Sequence, residues 1–184
     1  MLPAPTPILT AVPESPAPSG LCPDFRRLFE AEFGYVCRSL RRLGVRAADL
    51  KDVAQELFVT VYHRLPEYDS VRPLRPWLFS FALRFAANYR RLMRNRGHVS
   101  DDVLHRNAAA TQDVEARDLV LRALGELDFD RRAVIVMHDL EGFAAPDIAG
   151  ELGVPLNTVY SRLRLGRSEF RSAVERLQAD GGAS

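Results

Sequence analysis

Apolar residues recur along this chain at three- and four-residue steps, stretch after stretch, and no segment alternates as a half-buried strand would. Phe25, Leu28, Phe29, Phe33, Val36, Leu40 and Leu43 predict a helix over 25–43, closed by Gly44. Asp49 is a good N-cap for a second helix running to about Leu65, where Pro66 stops it. Its stripe is Leu50, Val53, Ala54, Leu57, Phe58, Val61 and Leu65. Pro73 and Pro76 make Glu67–Pro76 a loop. Trp77–Arg94 is a third helix, very apolar at its start and basic at its end, with Gly97 as its breaker. Few large apolar residues and several acids mark 98–115 as a linker. Helices then follow over Ala116–Leu127, using Leu119, Leu121, Leu124 and Leu127, and over Arg131–Leu140, with Gly142 beyond.

The stretch 143–170 predicts two helices joined by a tight turn. The first is Ala145–Leu152, with Ile148, Ala149 and Leu152 inward. Gly153 suits the left-handed conformation of a helix C-terminus. Val154 plugs the turn, and Pro155 opens the second helix, where a missing N–H costs nothing. Val159 and Leu163 point inward. The other face shows Thr158, Tyr160, Ser161, Arg162, Arg164 and Arg167, hydroxyls and guanidinium groups suited to phosphates and base edges. Such a pair reads as a DNA-binding helix-turn-helix. A solvated arginine face on an ordinary helical bundle is the bland alternative.

The expected fold class is all-α, with two small helical domains, 25–97 and 116–178, on a flexible linker over 98–115. Proline, alanine and serine dominate residues 1–24, which are expected to be a disordered tail. Residues 179–184 are too glycine-rich to order themselves.

Charge sharpens this picture. Across 184 residues the net charge is only +1, but it is unevenly spread. Phe25–Val99 carries 15 Lys+Arg against 7 Asp+Glu, a net of +8; Ser100–Asp128 carries 3 against 7, a net of −4; Pro155–Gln178 carries 5 against 2, a net of +3. Two basic blocks flank an acidic middle, which points to two separate contacts with a polyanion. Cys22 and Cys37 lack metal-ligand spacing and read as reduced thiols. The four histidines form no ligand cluster, so no metal or other cofactor is expected. No apolar run approaches a membrane span, and the N-terminus lacks the pattern of a signal peptide, so a cytoplasmic location without membrane insertion is expected.

The second helix has an unusual polar face. Asp49, Asp52 and Glu56 project from one side, with Gln55 beside them. Three readings of that face are open: a solvated acidic surface, paired carboxylates for acid–base or metal chemistry, or a docking surface for a basic partner. Against the second, no Glu-x-x-His motif and no second carboxylate helix accompanies it.

The segment DLKDVAQELFVTVYHRL followed by RPLRPWLFSFALRFAANYRR resembles region 2 of bacterial extracytoplasmic-function (ECF) sigma factors, and LGELDFDRRAVIVMHDLEGFAAPDIAGELGVPLNTVYSRLRLGRSEFR resembles region 4 of the same family. The resemblance covers roughly 25–97 and 116–178. It implies a dissociable subunit of RNA polymerase that directs promoter recognition and melting. Asp52, Gln55 and Glu56 occupy the family's D-x-x-Q-E positions, which dock on the β′ coiled coil of core polymerase, and Asp49 is expected to extend that face. The β subunit is a further expected contact. Tyr68–Leu74 and the helix after it match the part that takes the −10 element as single strand. There Arg72, Arg75, Arg84 and Arg91, among other arginines, supply charge, Asn88 matches a base-reading position and Tyr89 is a stacking candidate. Trp77 continues an apolar run and is expected in the core. In region 4, Tyr160, Ser161 and Arg164 match positions facing bases of the duplex −35 element, while Thr158, Arg162 and Arg167 are better placed for phosphates. Arg84 stands in place of a common asparagine, Tyr160 where lysine or arginine is usual, and Leu165 and Gly166 in place of a basic-plus-alanine pair. Glycine inside a helix costs about 1 kcal/mol relative to alanine, and these region 4 departures together imply an individual promoter preference and a slightly weaker grip on DNA. An anti-sigma factor is the expected regulator.

No residue set supplies a nucleophile with its base or a metal with an open position, so an enzyme is not expected. The runner-up is a stand-alone helix-turn-helix regulator that never touches polymerase. A third reading is a protein–protein adaptor that has lost DNA binding.

Overall fold

A computed structural model of the chain describes residues 24–95 and 112–181, and all regular structure within them is helical. In helix α1 (Phe25–Arg42) the Asp24 side chain caps the start by accepting the Arg26 N–H at 3.1 Å. Arg41 and Arg42 occupy its last turn, where cations favour the negative end of the helix dipole. Gly44 then takes φ 103°, and the Val45 N–H returns to the Leu40 carbonyl at 3.0 Å.

Helix α2 (Leu50–Arg64) lies between two short 3₁₀ turns, Ala47–Asp49 and Leu65–Glu67. Asp49 stands at the N-cap position but makes no side-chain cap bond. Its carboxylate accepts instead from Arg46 Nε at 3.0 Å and from the Tyr89 hydroxyl at 2.5 Å. A guanidinium is the stronger donor, so the expected cap becomes a tie between helices.

Helix α3 (Leu74–Asn95) begins three residues before the expected Trp77. Pro76 lies within its first turn, where the missing N–H would have had no helical acceptor, so only Pro73 is left outside. Its expected breaker, Gly97, lies outside the described residues, as do the tail 1–23 and most of the linker.

In the second half, α4 (Gln112–Glu126) starts inside the expected linker. Leu124 and Leu127 are buried, whereas Leu119 and Leu121 are only half-buried. Helix α5 (Phe129–Ile135) is capped by Asp128 and runs directly into a π turn over Val136–Leu140, where one residue is added to the helical turn. Helix α6 (Ala145–Leu152) ends as expected at Gly153, with φ 64°. Pro155 precedes the last helix rather than opening it. Its carbonyl accepts from the N–H groups of Thr158 at 2.8 Å and Val159 at 3.3 Å, starting α7 at Leu156. Helix α7 continues through Gly181, past the expected end at 178, since adding a residue to an existing helix is far easier than starting one.

The two helical domains share one apolar core. Leu40, Leu57, Phe58, Leu78 and Phe79 from the first half join Leu124, Val134, Met137, Ile148 and Val159 from the second. Each such side chain contributes about 1.5–3 kcal/mol through burial. Helix α3 packs on α6 and α1 on α4. Phe79 meets Phe143 edge-on at 6.0 Å, and Arg90 lies over the Phe129 ring at 4.9 Å. Arg42 pairs with Glu141 across the seam, and Arg72 with Glu151 at 2.7 Å. The buried Arg132 donates through Nε to the Arg42 carbonyl at 2.6 Å.

Candidate nucleic-acid interface and docking face

Helix α2 buries Ala54, Leu57, Phe58 and Val61 and turns Asp52, Gln55 and Glu56 outward. No hydrogen bond or ion pair within the described residues engages these three side chains; only the backbone carbonyl of Glu56 is used, accepting from the Thr60 hydroxyl at 3.3 Å. Two unpaired carboxylates thus stand one helical turn apart. Val59 (60% exposed) and Tyr62 (56% exposed) continue the face. Acid with adjacent exposed apolar area is a surface suited to a basic partner with an apolar edge. Asp49 does not belong to it, because Arg46 and Tyr89 hold its carboxylate. Val59 and Tyr62 were the residues missed. Their signal was an apolar pair three residues apart that continues, at helical spacing, the face carrying Asp52 and Glu56.

The second site runs from the loop before α3 along one side of that helix. Asp69 Oδ1 accepts the Val71 N–H at 3.0 Å, and the Tyr68 hydroxyl donates to the Arg72 carbonyl at 2.5 Å. This folded loop presents Val71, which is 90% exposed. Arg72 reaches Glu151. Arg75 donates to Glu32 at 3.2 Å and lies over the Tyr35 ring at 5.0 Å; burial pushes the Tyr35 hydroxyl pKa well up. Arg84 sits over the Phe81 ring at 5.2 Å and donates to the Ser80 hydroxyl at 3.3 Å. Asn88 accepts from Arg91 at 3.0 Å. Arg84, Asn88 and Arg91 share one stripe of α3 at i, i+4, i+7.

Tyr89 departs from expectation. It is buried and its hydroxyl is engaged, so its ring has no open face for a base. Burial, then the bond to Asp49, holds its pKa above the usual tyrosine value. Trp77, expected in the core, packs against the core at its edge and is half-buried. It packs against Tyr68 at 4.8 Å and edge-on against Phe81 at 4.8 Å, the ring over which Arg84 lies. The aromatic surface beside the arginines is therefore Tyr68 with Trp77.

The third site is the outer face of α7. Val159, Leu163 and Ala173 are buried against α4, α5 and α6. Tyr160, Ser161 and Arg164 lie opposite and exposed, within about 100° of one another around the axis. The Ser161 hydroxyl donates to the Thr158 carbonyl at 2.9 Å. Arg162 lies on a flank, whereas Arg167, at i+7 from Tyr160 and i+3 from Arg164, extends their stripe by one turn. Arg162 pairs with Asp130. Arg167 donates to both oxygens of Asp139, at 2.9 and 2.6 Å. Gly166 also has a different role from the one expected. It is buried against α5, and a Cβ there would stand 3.0 Å from Ile135 Cγ1 and 3.3 Å from Arg131 Cβ. The missing side chain lets α5 and α7 approach each other.

Among the described residues no group of His, Cys, Asp or Glu could hold a metal ion, and no helix is long and apolar enough to cross a membrane.

The family model for Sigma-70 region 2 matches residues 28–96, and that for Sigma-70, region 4 matches 117–170. The chain is 33% identical to the ECF RNA polymerase sigma factor SigL of Mycobacterium tuberculosis, over 83% of this chain and 89% of SigL. It is 28% identical to the sigma factor CnrH of Cupriavidus metallidurans, over 76% and 81% of the two chains. The solved structure of CnrH with the cytosolic domain of CnrY superposes with a TM-score of 0.61 at 27% identity, covering 83% of this chain and 88% of that one. The chain belongs to the ECF RNA polymerase sigma factors, and the stand-alone regulator reading falls away with that membership.

Proposed function

We propose that Asp52, Gln55 and Glu56 on α2 dock this sigma factor on the β′ coiled coil of core RNA polymerase, with Val59 and Tyr62 as the apolar margin. The observation that carries this reading is a pair of exposed carboxylates with no partner among the described residues. Arginines on the partner would complete them through charge-assisted bonds. Asp49 serves the inside of the domain instead.

The −10 strand then lies along Arg72, Arg75, Arg84, Asn88 and Arg91. Base capture falls to the loop Tyr68–Leu74 and to Trp77, because stacking needs an accessible ring and Tyr89 has none. The −35 duplex meets α7, with Tyr160, Ser161 and Arg164 at base edges in the major groove. Thr158, at the start of the helix, touches phosphate. The first domain is taken as 25–97 and the second as running from the start of α4 to the end of α7, and the place of action as the cytoplasm, where polymerase is. CnrH, seen with the cytosolic domain of CnrY, supports an anti-sigma protein as a further partner of this chain.

Run-off transcription with core polymerase on a genomic library tests the reading. Discrete start sites sharing a −10 and a −35 sequence are expected. Initiation no different from core polymerase alone would overturn it.

A further inference from the structure

The seam between α5, its π turn and α7 is closed by three ion pairs: Asp130 with Arg162, Asp139 with Arg167, and Arg131 with Glu169. Two of the three take arginines of the helix that faces DNA. Arg162 flanks the Tyr160–Ser161–Arg164 face on one side, and Arg167 continues its Tyr160–Arg164 edge one turn further along. Arg164 itself has no partner among the described residues. The asymmetry is physical: the cation at the centre of the face is left open, while those at its edges are held by carboxylates.

Asp139 holds its arginine by a two-pronged bond, the geometry in which a carboxylate most resembles phosphate. Asp139 lies in the π turn Val136–Leu140, and the neighbouring His138 ring nitrogen lies 2.8 Å from the same carboxylate. Arg167 beside it holds the Asp139 carboxyl below the usual carboxylate pKa.

We propose that Asp130 and Asp139 are positioning residues that restrain Arg162 and Arg167, keeping the helix-turn-helix's hold on DNA backbone weak so that base contacts decide where it settles. A phosphate can engage either arginine only by displacing a carboxylate already bonded to it. That exchange gains little, whereas a free guanidinium would gain a full contact on any sequence and release a counterion. The carboxylates thus lower affinity for all DNA and leave the ratio between sites to Tyr160, Ser161 and Arg164. This inference rests on the DNA reading of α7.

The test is fluorescence anisotropy of the full chain on a labelled random-sequence duplex, across a salt series. Asp139→Asn is expected to raise affinity roughly two- to fivefold at low salt, the scale of one partly exposed ion pair. The slope of log affinity against log salt should steepen by about one. The gain should vanish in an Arg167→Gln background, because Asp139 acts through Arg167. Asp180→Asn, an exposed acid near the end of α7, makes the same charge change and should move nothing. Unchanged or weaker binding by Asp139→Asn, or an equal gain without Arg167, overturns the inference while leaving the DNA reading intact. No duplex binding by the wild-type chain at any salt brings down the DNA reading, and this inference with it.

Discussion

The Arg132 guanidinium occupies the space that a side chain at Gly44 would need: a Cβ built there stands 2.8 Å from Arg132 Nη1. The two residues belong to different halves of the chain. Gly44 closes α1 with φ 103°, and Arg132 comes from α5 to donate to the Arg42 carbonyl, one of the orphan acceptors at that helix end. Desolvation, then the nearby Arg90 charge, lowers the Arg132 pKa to about 10. A buried cation thus acts as a C-cap supplied by the other domain.

Gly44→Ala should cost about 1–3 kcal/mol, from the positive φ and from the displaced guanidinium together. Urea unfolding measures it. In an Arg132→Ala background only the backbone part should remain, so the cost of the glycine substitution should fall.

Gly166→Val should destabilise by about 1–3 kcal/mol, because the added carbons meet Ile135 and Arg131 across the α5–α7 contact. Adding Ile135→Ala should recover part of the loss by making room. Recovery absent in the double variant would place the strain elsewhere.

The Asp139–Arg167 pair makes part of the stability depend on acid. Asp139 has a folded pKa below its ordinary 3.8, owing first to the bond from Arg167. Its contribution is therefore complete above that ordinary value and is lost as pH falls through the folded one. Melting temperatures between pH 6 and pH 3 should fall less steeply for Asp139→Asn than for the wild type.

Arg164→Ala should cost on the order of 1–3 kcal/mol in discrimination at one −35 position. Binding to a panel of single-base variants reads this directly. An equal loss on every member would make Arg164 a phosphate contact.

Periodicity located every helix of the described residues, and α6 to the residue, because Gly153 has one physical role there that the sequence states openly. The errors share a cause. Pro76, Pro155 and Asp49 were read by residue type, whereas their roles depend on where the first turn falls and on what lies across the fold. Gly166 was read against helix propensity, and only the approach of Ile135 reveals its use. The outward direction of Asp52, Gln55 and Glu56 followed from spacing alone. The pairing of Arg162 and Arg167 did not, since Asp130 and Asp139 are about thirty residues away in sequence, and a π turn disturbs the register that places Asp139. Tyr89 was misplaced for the same reason: Arg46 and Asp49, forty residues earlier, claim its hydroxyl.

The most direct measurement of the central claim is the competition of Asp52→Arg/Glu56→Arg against the wild-type chain for core RNA polymerase. Both side chains are exposed and have no partner among the described residues, so the double variant should keep the wild-type melting temperature while losing at least tenfold in polymerase affinity, on the order of 1.4 kcal/mol or more. A folded double variant that assembles with core polymerase as well as the wild type would contradict the account.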